Sequence, residues 1–162
     1  MNVLVVGFTT EKGRKVSDFL HSRGMFVYGL DRNIEGDYRS LTRRFSLNPR
    51  HKESVRLMFE IAKPSALVYC VVESENRENY IPFLTILTTG IGLGVSKVVL
   101  VINENFPISE IETLSQVETL AMTLVLKVLG KTEKYEYVVI NEKDNLLKEV
   151  KRFLLKEEGK IL

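Results

Sequence analysis

The most legible chemistry in the chain lies in two glycines, a threonine and an acid. Gly7 and Gly13 are the first and third glycines of a G-x-x-G-x-x-G spacing that follows the apolar run Val3-Leu4-Val5-Val6, and Thr10 stands in the middle place. Asp31 follows Gly13 by eighteen residues, at the end of a second apolar run, Val27-Tyr28-Gly29-Leu30. In such an arrangement one glycine makes the turn, one lets the backbone approach a pyrophosphate, and one lets a helix pack close to a strand. The acid then accepts hydrogen bonds from an adenosine ribose. The binding set is therefore Gly7, Thr9, Thr10, Glu11, Lys12 and Gly13 with Asp31 and Arg32, and the ligand is a dinucleotide, NAD or NADP. Arg32 beside the acid could pair with a 2′-phosphate, which leaves the choice between the two open.

Two residues work against that site. A threonine in place of the middle glycine narrows the approach. Glu11 near the start of the helix satisfies the helix dipole, worth roughly 0.3–1 kcal/mol, and repels a phosphate. Lys12 and Arg14 offset part of the repulsion. Another phosphate ligand, or a turn that only permits close packing, are the alternatives. A Walker A loop is excluded, because Arg14 and Lys15 follow Gly13 where Lys and Ser/Thr are required.

These residues need strands and helices to hold them. Short apolar runs at Val3–Val6, Phe26–Leu30, Ala66–Val72, Lys97–Ile102 and Tyr135–Ile140 read as strands, with a short third strand at Arg44–Leu47. Between them lie helical patterns up to Ser22 and over His51–Ala62, Ile81–Ile91, Ser109–Leu129 and Lys143–Glu157. A short helix over Tyr38–Thr42 is a further expectation. Gly90, Gly92 and Gly94 mark the end of the third long helix. Buried strands joined by helical crossovers predict an α/β fold in three layers, a doubly wound parallel sheet. Ligands of such sheets bind at the carboxyl edge, where the glycine turn lies. The 162 residues predict a single domain spanning 1–162.

Composition excludes several classes. A formal charge of +2 and the absence of a Lys/Arg-rich arm give no support to nucleic acid as partner. The arginines from Arg39 to Arg50 read as a solvated loop. No apolar stretch reaches the roughly 20 residues of a membrane span, and the short apolar start lacks the basic front end of a signal peptide. The lone Cys70 lies in an apolar run, as a buried core residue would, and suits a reducing compartment; the expected address is the cytoplasm. His21 and His51, the two histidines, have no companions at metal-ligand spacing, and no G-x-S-x-G elbow is present.

Over nearly its whole length the sequence resembles the Rossmann core of the extended short-chain dehydrogenase/reductases, the NAD-dependent epimerase/dehydratase group. Residues Val3 to Gly13 (VLVVGFTTEKG) are similar to that family's V-x-V-T-G-A-T-G-F-I-G opening. Phe45-Ser46-Leu47-Asn48-Pro49 is similar to its G-D-L-x-D-P. Leu67-Val68-Tyr69-Cys70-Val71-Val72 falls on its V-I-H-L-A-A strand, which adds Val71 to the cofactor-binding residues. Gly94-Val95-Ser96-Lys97-Val98-Val99-Leu100-Val101 matches its G-V-x-R-V-V-F-x strand, and Tyr137-Val138-Val139-Ile140 its Y-V-V-L-R strand. The resemblance implies strand order 3-2-1-4-5-6.

The departures bear on function. The family works with a Ser/Thr just past the fifth strand and a Tyr-x-x-x-Lys on the next helix, whose Lys lowers the Tyr pKa. Here Ile102 and Asn103 follow the strand, Glu112 and Gln116 align with Tyr and Lys, and neither residue type occurs from Ser109 to Met122. Ser46 replaces the acid on the adenine side. The sequence stops one helix after the sixth strand, so the family's substrate domain is expected to be missing. Helices 81–91 and 109–129 are apolar nearly all round, and the resemblance implies a homodimer through them; the alternative is that the last helix covers this face. Three functions follow: a non-catalytic or strongly diverged NAD(P)-binding sensor or scaffold, an oxidoreductase with rearranged groups (Tyr69, Glu73, Tyr80, Asn103), or a ligand-free interaction module.

Overall fold

A computed structural model describes residues 1–32, 36–71, 79–103 and 108–155. Among these residues six parallel strands form one sheet: β1 (Asn2–Val6), β2 (Phe26–Leu30), β3 (Leu41–Phe45), β4 (Ala66–Cys70), β5 (Lys97–Ile102) and β6 (Glu136–Asn141). Their order is β3-β2-β1-β4-β5-β6, the order expected. Five α-helices among the described residues connect and cover them: α1 (Glu11–Ser22), α2 (Lys52–Ala62), α3 (Tyr80–Gly92), α4 (Leu114–Leu129) and α5 (Leu146–Leu154).

The pleat sorts the apolar run of β1 between two cores. Val3 and Val5 face one side, with Val16 and Leu20 of α1 and Leu146, Val150 and Leu154 of α5. Leu4 and Val6 face the other, with Val55, Met58 and Phe59 of α2, Phe83, Ile86 and Leu87 of α3, and Met122 and Leu126 of α4. All four β1 valine and leucine side chains are buried, as a central parallel strand requires. Burying both faces is what holds the carboxyl edge rigid beneath the site.

Several expected boundaries are corrected. The third strand runs Leu41–Phe45 instead of Arg44–Leu47, and strand and turn replace the short helix over Tyr38–Thr42. This edge strand has only Phe45 buried, so no apolar run announces it. The long helix does not begin at Ser109. A 3-10 turn spans Ile108–Glu110, and α4 starts at Leu114 behind a capping box, in which Thr113 accepts from the Gln116 N–H and Gln116 accepts from the Thr113 N–H. Glu112 therefore lies before the helix, and Gln116 serves the cap. The sixth strand begins one residue later than expected, at Glu136, and the last helix at Leu146 instead of Lys143. The expected ends of the fourth strand, at Val72, and of the last helix, at Glu157, fall outside the described residues. Gly90 lies inside α3, where a Cβ would stand 2.9 Å from the Phe59 ring, so it serves helix packing.

Candidate functional site

The carboxyl ends of the strands converge on the glycine turn. Gly7 leaves β1 with φ of 79°, a left-handed conformation suited to glycine. Its N–H donates to the Leu30 carbonyl at 3.0 Å, so the turn stays tied to β2. Gly13 sits where α1 passes closest to β1. A Cβ there would stand 2.1 Å from the Gly7 carbonyl oxygen. This is the close helix–strand packing that the third glycine was expected to allow.

Thr10 acts as the helix N-cap. Its hydroxyl donates to the Gly7 carbonyl at 2.6 Å and accepts from the Gly13 N–H at 3.1 Å. The side chain is thus folded onto the turn, and its cap is worth about 1 kcal/mol. Glu11 turns along the helix surface, with its side chain 85% exposed and 3.1 Å from the Lys15 ammonium. The expected repulsion is correspondingly reduced, because the carboxylate is paired and solvated.

Asp31 is 6% exposed and stands at the end of β2. One carboxylate oxygen accepts from the Arg32 N–H at 2.7 Å and the other from the Thr9 hydroxyl. These bonds fix the carboxylate and couple it to the glycine turn. A carboxylate oxygen has two lone-pair sites and can take a sugar hydroxyl beside a protein donor. Ser46 donates to the Arg32 carbonyl at 3.0 Å, so it holds the chain just past β2. Arg32 itself is exposed at the rim.

Gly7, Asp31, Arg32, Tyr69, Cys70 and Asn79 share a cleft of about 50 Å³ on the β2–β4 side of the turn. That is room for a sugar edge, so a nucleotide would lie across the mouth. A second cleft, of about 550 Å³, opens on the other side of α1, towards the connection from β6 to α5. Lys12 lines this second cleft. It is 6% exposed, and its ammonium donates to the Asn103 side-chain carbonyl at the exit of β5. Val71 lies in the core on the α2–α3 side, its N–H bonded to the Val101 carbonyl at 3.0 Å; it does not line either cleft. The site residues from Gly7 to Gly13 thus gather with Asp31 and Arg32, while Val71 stands apart.

Of the groups that a rearranged oxidoreductase would need, Tyr69 and Asn103 are otherwise engaged. Burial first, and then the Glu118 carboxylate, pushes the Tyr69 phenol far above its usual range. Its hydroxyl donates to the Asn79 carbonyl at 3.3 Å. Tyr80 packs against the core, Asn103 accepts from Lys12, and Glu73 lies outside the described residues. Cys70 is buried, and burial pushes its thiol up to about 12. No group of metal-ligating residues occurs among the described residues.

Sequence reasoning missed one residue and one contact near the site. Glu118 of α4 accepts from the Asn79 and Tyr80 N–H groups at 2.9 and 2.8 Å and so caps α3. The Lys12–Asn103 bond joins residues 91 apart in the chain, which no local pattern reveals.

On the outer side, α4 leaves Leu114, Val117, Leu124 and Val128 exposed, Leu114 by 83%. The C-terminal helix does not cover this stripe. It packs beside α1 on the opposite face of the sheet, which corrects the expectation that it might. Among the described residues no helix is long and apolar enough to cross a membrane.

No known family model matches the sequence, and no curated protein matches it significantly. Solved structures do. UDP-glucose 4-epimerase of Thermotoga maritima, solved with UDP-glucose, superposes with a TM-score of 0.71 at 19% identity, over 87% of this chain and 55% of that one. UDP-glucose 4-epimerase of Thermus thermophilus, solved with NAD, gives 0.71 at 20% identity, over 87% and 54%. Bordetella bronchiseptica WbmH, solved with NAD+, gives 0.67 at 13% identity, over 86% and 54%. The chain spans about half the length of these proteins. The likeness bears out the expected architecture: this chain has the Rossmann fold of the UDP-glucose 4-epimerases.

Proposed function

We propose that this protein is a nucleotide-binding Rossmann module that takes NAD(H) or NADP(H) over the turn from Gly7 to Gly13 and carries out no hydride transfer of its own. The observation that carries this reading is the buried Asp31 carboxylate, held by Thr9 and the Arg32 N–H at the end of β2, beside the cleft that Gly7 also lines. A ribose diol on Asp31 would bring the pyrophosphate to the N-terminus of α1, where the dipole favours an anion. The epimerase of Thermus thermophilus and WbmH, which share the fold, were solved with the same class of cofactor. The absence of Tyr and Lys from Ser109 to Met122 supports a sensor or scaffold role over an oxidoreductase.

The exposed stripe on α4 follows a three-and-four spacing, Leu114, Val117, Ala121, Leu124, Val128, as a helix–helix seam does. It carries no charge, so a second copy of the chain can pack on it through the same residues, and we infer a homodimer. The lone buried Cys70 suits a reducing compartment, and the protein is assigned to the cytoplasm.

The test is stabilisation by ligand. At ten times its Kd, NAD or NADP should add about 1.4 kcal/mol and raise Tm by roughly 3–6 °C. The comparison of the two cofactors reads the role of Arg32. Asp31→Ala should abolish the shift. No shift with either cofactor at millimolar concentration would overturn the reading.

A further inference from the structure

The half of the site beyond the glycine turn carries charge that a nicotinamide does not need. Lys12 belongs to the first turn of α1, directly after β1. Its ammonium reaches Asn103 at the exit of β5, and β4 lies between those two strands. The side chain therefore crosses the carboxyl end of β4, and its charge is felt by the Cys70 thiol there, against the upward push of burial. A cation this deeply buried draws acceptors and anions to itself. The Asn103 side-chain carbonyl is one such acceptor, and it holds the ammonium at the head of the sheet.

The larger cleft opens at the same place. Lys12, Lys15, Lys143 and Lys148 line it, against Glu11 and Glu142. Glu11 is engaged with Lys15 at 3.1 Å. Glu142 stands at the exit of β6, its N–H bonded to the Ile102 carbonyl at 2.9 Å. Among the described lining residues four lysines stand against two glutamates, so their net charge is positive. The oxidised nicotinamide ring is itself a cation, and it would have to lie near these lysines. A terminal phosphate would meet them as a counter-ion.

We propose that the Lys12 side of the cleft is an anion subsite, so that nucleoside polyphosphates ending in phosphate, of the ADP and ATP type, bind in preference to NAD+. This rests on the reading above, in which the adenosine diphosphate half lies over Gly7–Gly13 and Asp31. In that arrangement the terminal phosphate of ADP or ATP, which bears a second negative charge where NAD+ carries its cationic nicotinamide riboside, meets the Lys12 ammonium and shares it with Asn103.

The experiment is calorimetric titration of the full chain with ADP, ATP and NAD+, repeated on Lys12→Met and Lys12→Arg. The native protein should bind ADP and ATP at least about tenfold more tightly than NAD+, the difference that one charge-assisted contact makes. Lys12→Met should remove that preference, and Lys12→Arg should keep most of it. NAD+ binding as tightly as ADP in the native chain would overturn the proposal and leave the dinucleotide reading standing; it needs no variant to fold. An unchanged ADP affinity in a folded Lys12→Met variant would overturn it too. Failure of all three nucleotides to bind would overturn both.

Discussion

Replacing Gly13 by alanine tests the packing on which the whole site depends. The added methyl would stand 2.1 Å from the Gly7 carbonyl oxygen and 2.8 Å from both the Gly7 carbonyl carbon and the Phe8 Cα. All three are backbone atoms, so no side chain can swing aside. Ordinary contact begins near 3.4 Å, so the start of α1 must retreat by roughly 1.3 Å from β1. That retreat loosens Val16, Leu20 and Phe8, all fully buried, and pulls on the Thr10 cap. Overpacking of this kind costs about 3 kcal/mol or somewhat more. Alanine in place of a helical glycine returns up to about 1 kcal/mol. The net loss is therefore at least about 2 kcal/mol, or a Tm lower by roughly 4–8 °C. Urea unfolding and a thermal scan measure it. Gly92→Ala is the control: nothing lies within 4 Å of its Cβ, so stability should hold or rise by up to about 1 kcal/mol. An unchanged or higher Tm for Gly13→Ala would refute the argument that α1 is wedged against the turn.

Three further outcomes follow from the structure. Cys70 should be inert to thiol reagents in the native protein and react after unfolding. Its folded thiol is held up to about 12 against 9.0 in the unfolded chain, so ionisation favours the unfolded state above pH 9. The loss grows to about 1.4 kcal/mol by pH 10 and continues towards pH 12; Cys70→Ala should flatten that part of the urea-monitored profile. Glu118→Ala removes two charge-assisted bonds at the start of α3, and a denaturation curve should lose about 1–2 kcal/mol. Leu124→Glu places a charge in the exposed stripe of α4, and sedimentation should find the native chain dimeric and the variant monomeric; a native monomer would contradict the assignment of that face.

Patterns local to the sequence carried the frame. The unbroken apolar run of β1 and the glycine spacing gave the turn, and Asp31 fell at the end of β2 because the second run is equally plain. What escaped was of three kinds. The edge strand β3 pairs on one side only and is mostly exposed; its Arg43 and Arg44 lie over the rings of Phe45 and Tyr38 at 5.2 and 5.9 Å, so charged residues blur where the strand begins. The start of α4 was set by the capping box of Thr113 and Gln116, which outweighed the helical period of the residues before it. Tertiary partners were invisible: Thr10 was a steric obstacle by residue type and proves to be a cap, and Lys12 gained its meaning only from Asn103 across the sheet.

The central claim is that the backbone after β1 remains open to a nucleotide diphosphate with Asp31 gripping the sugar. The most direct measurement is a crystal structure of the chain grown with NAD at saturating concentration. The account predicts a diphosphate over the first turn of α1 and ribose hydroxyls within about 3 Å of the Asp31 carboxylate. A turn with no nucleotide density above it at saturating NAD would contradict the account.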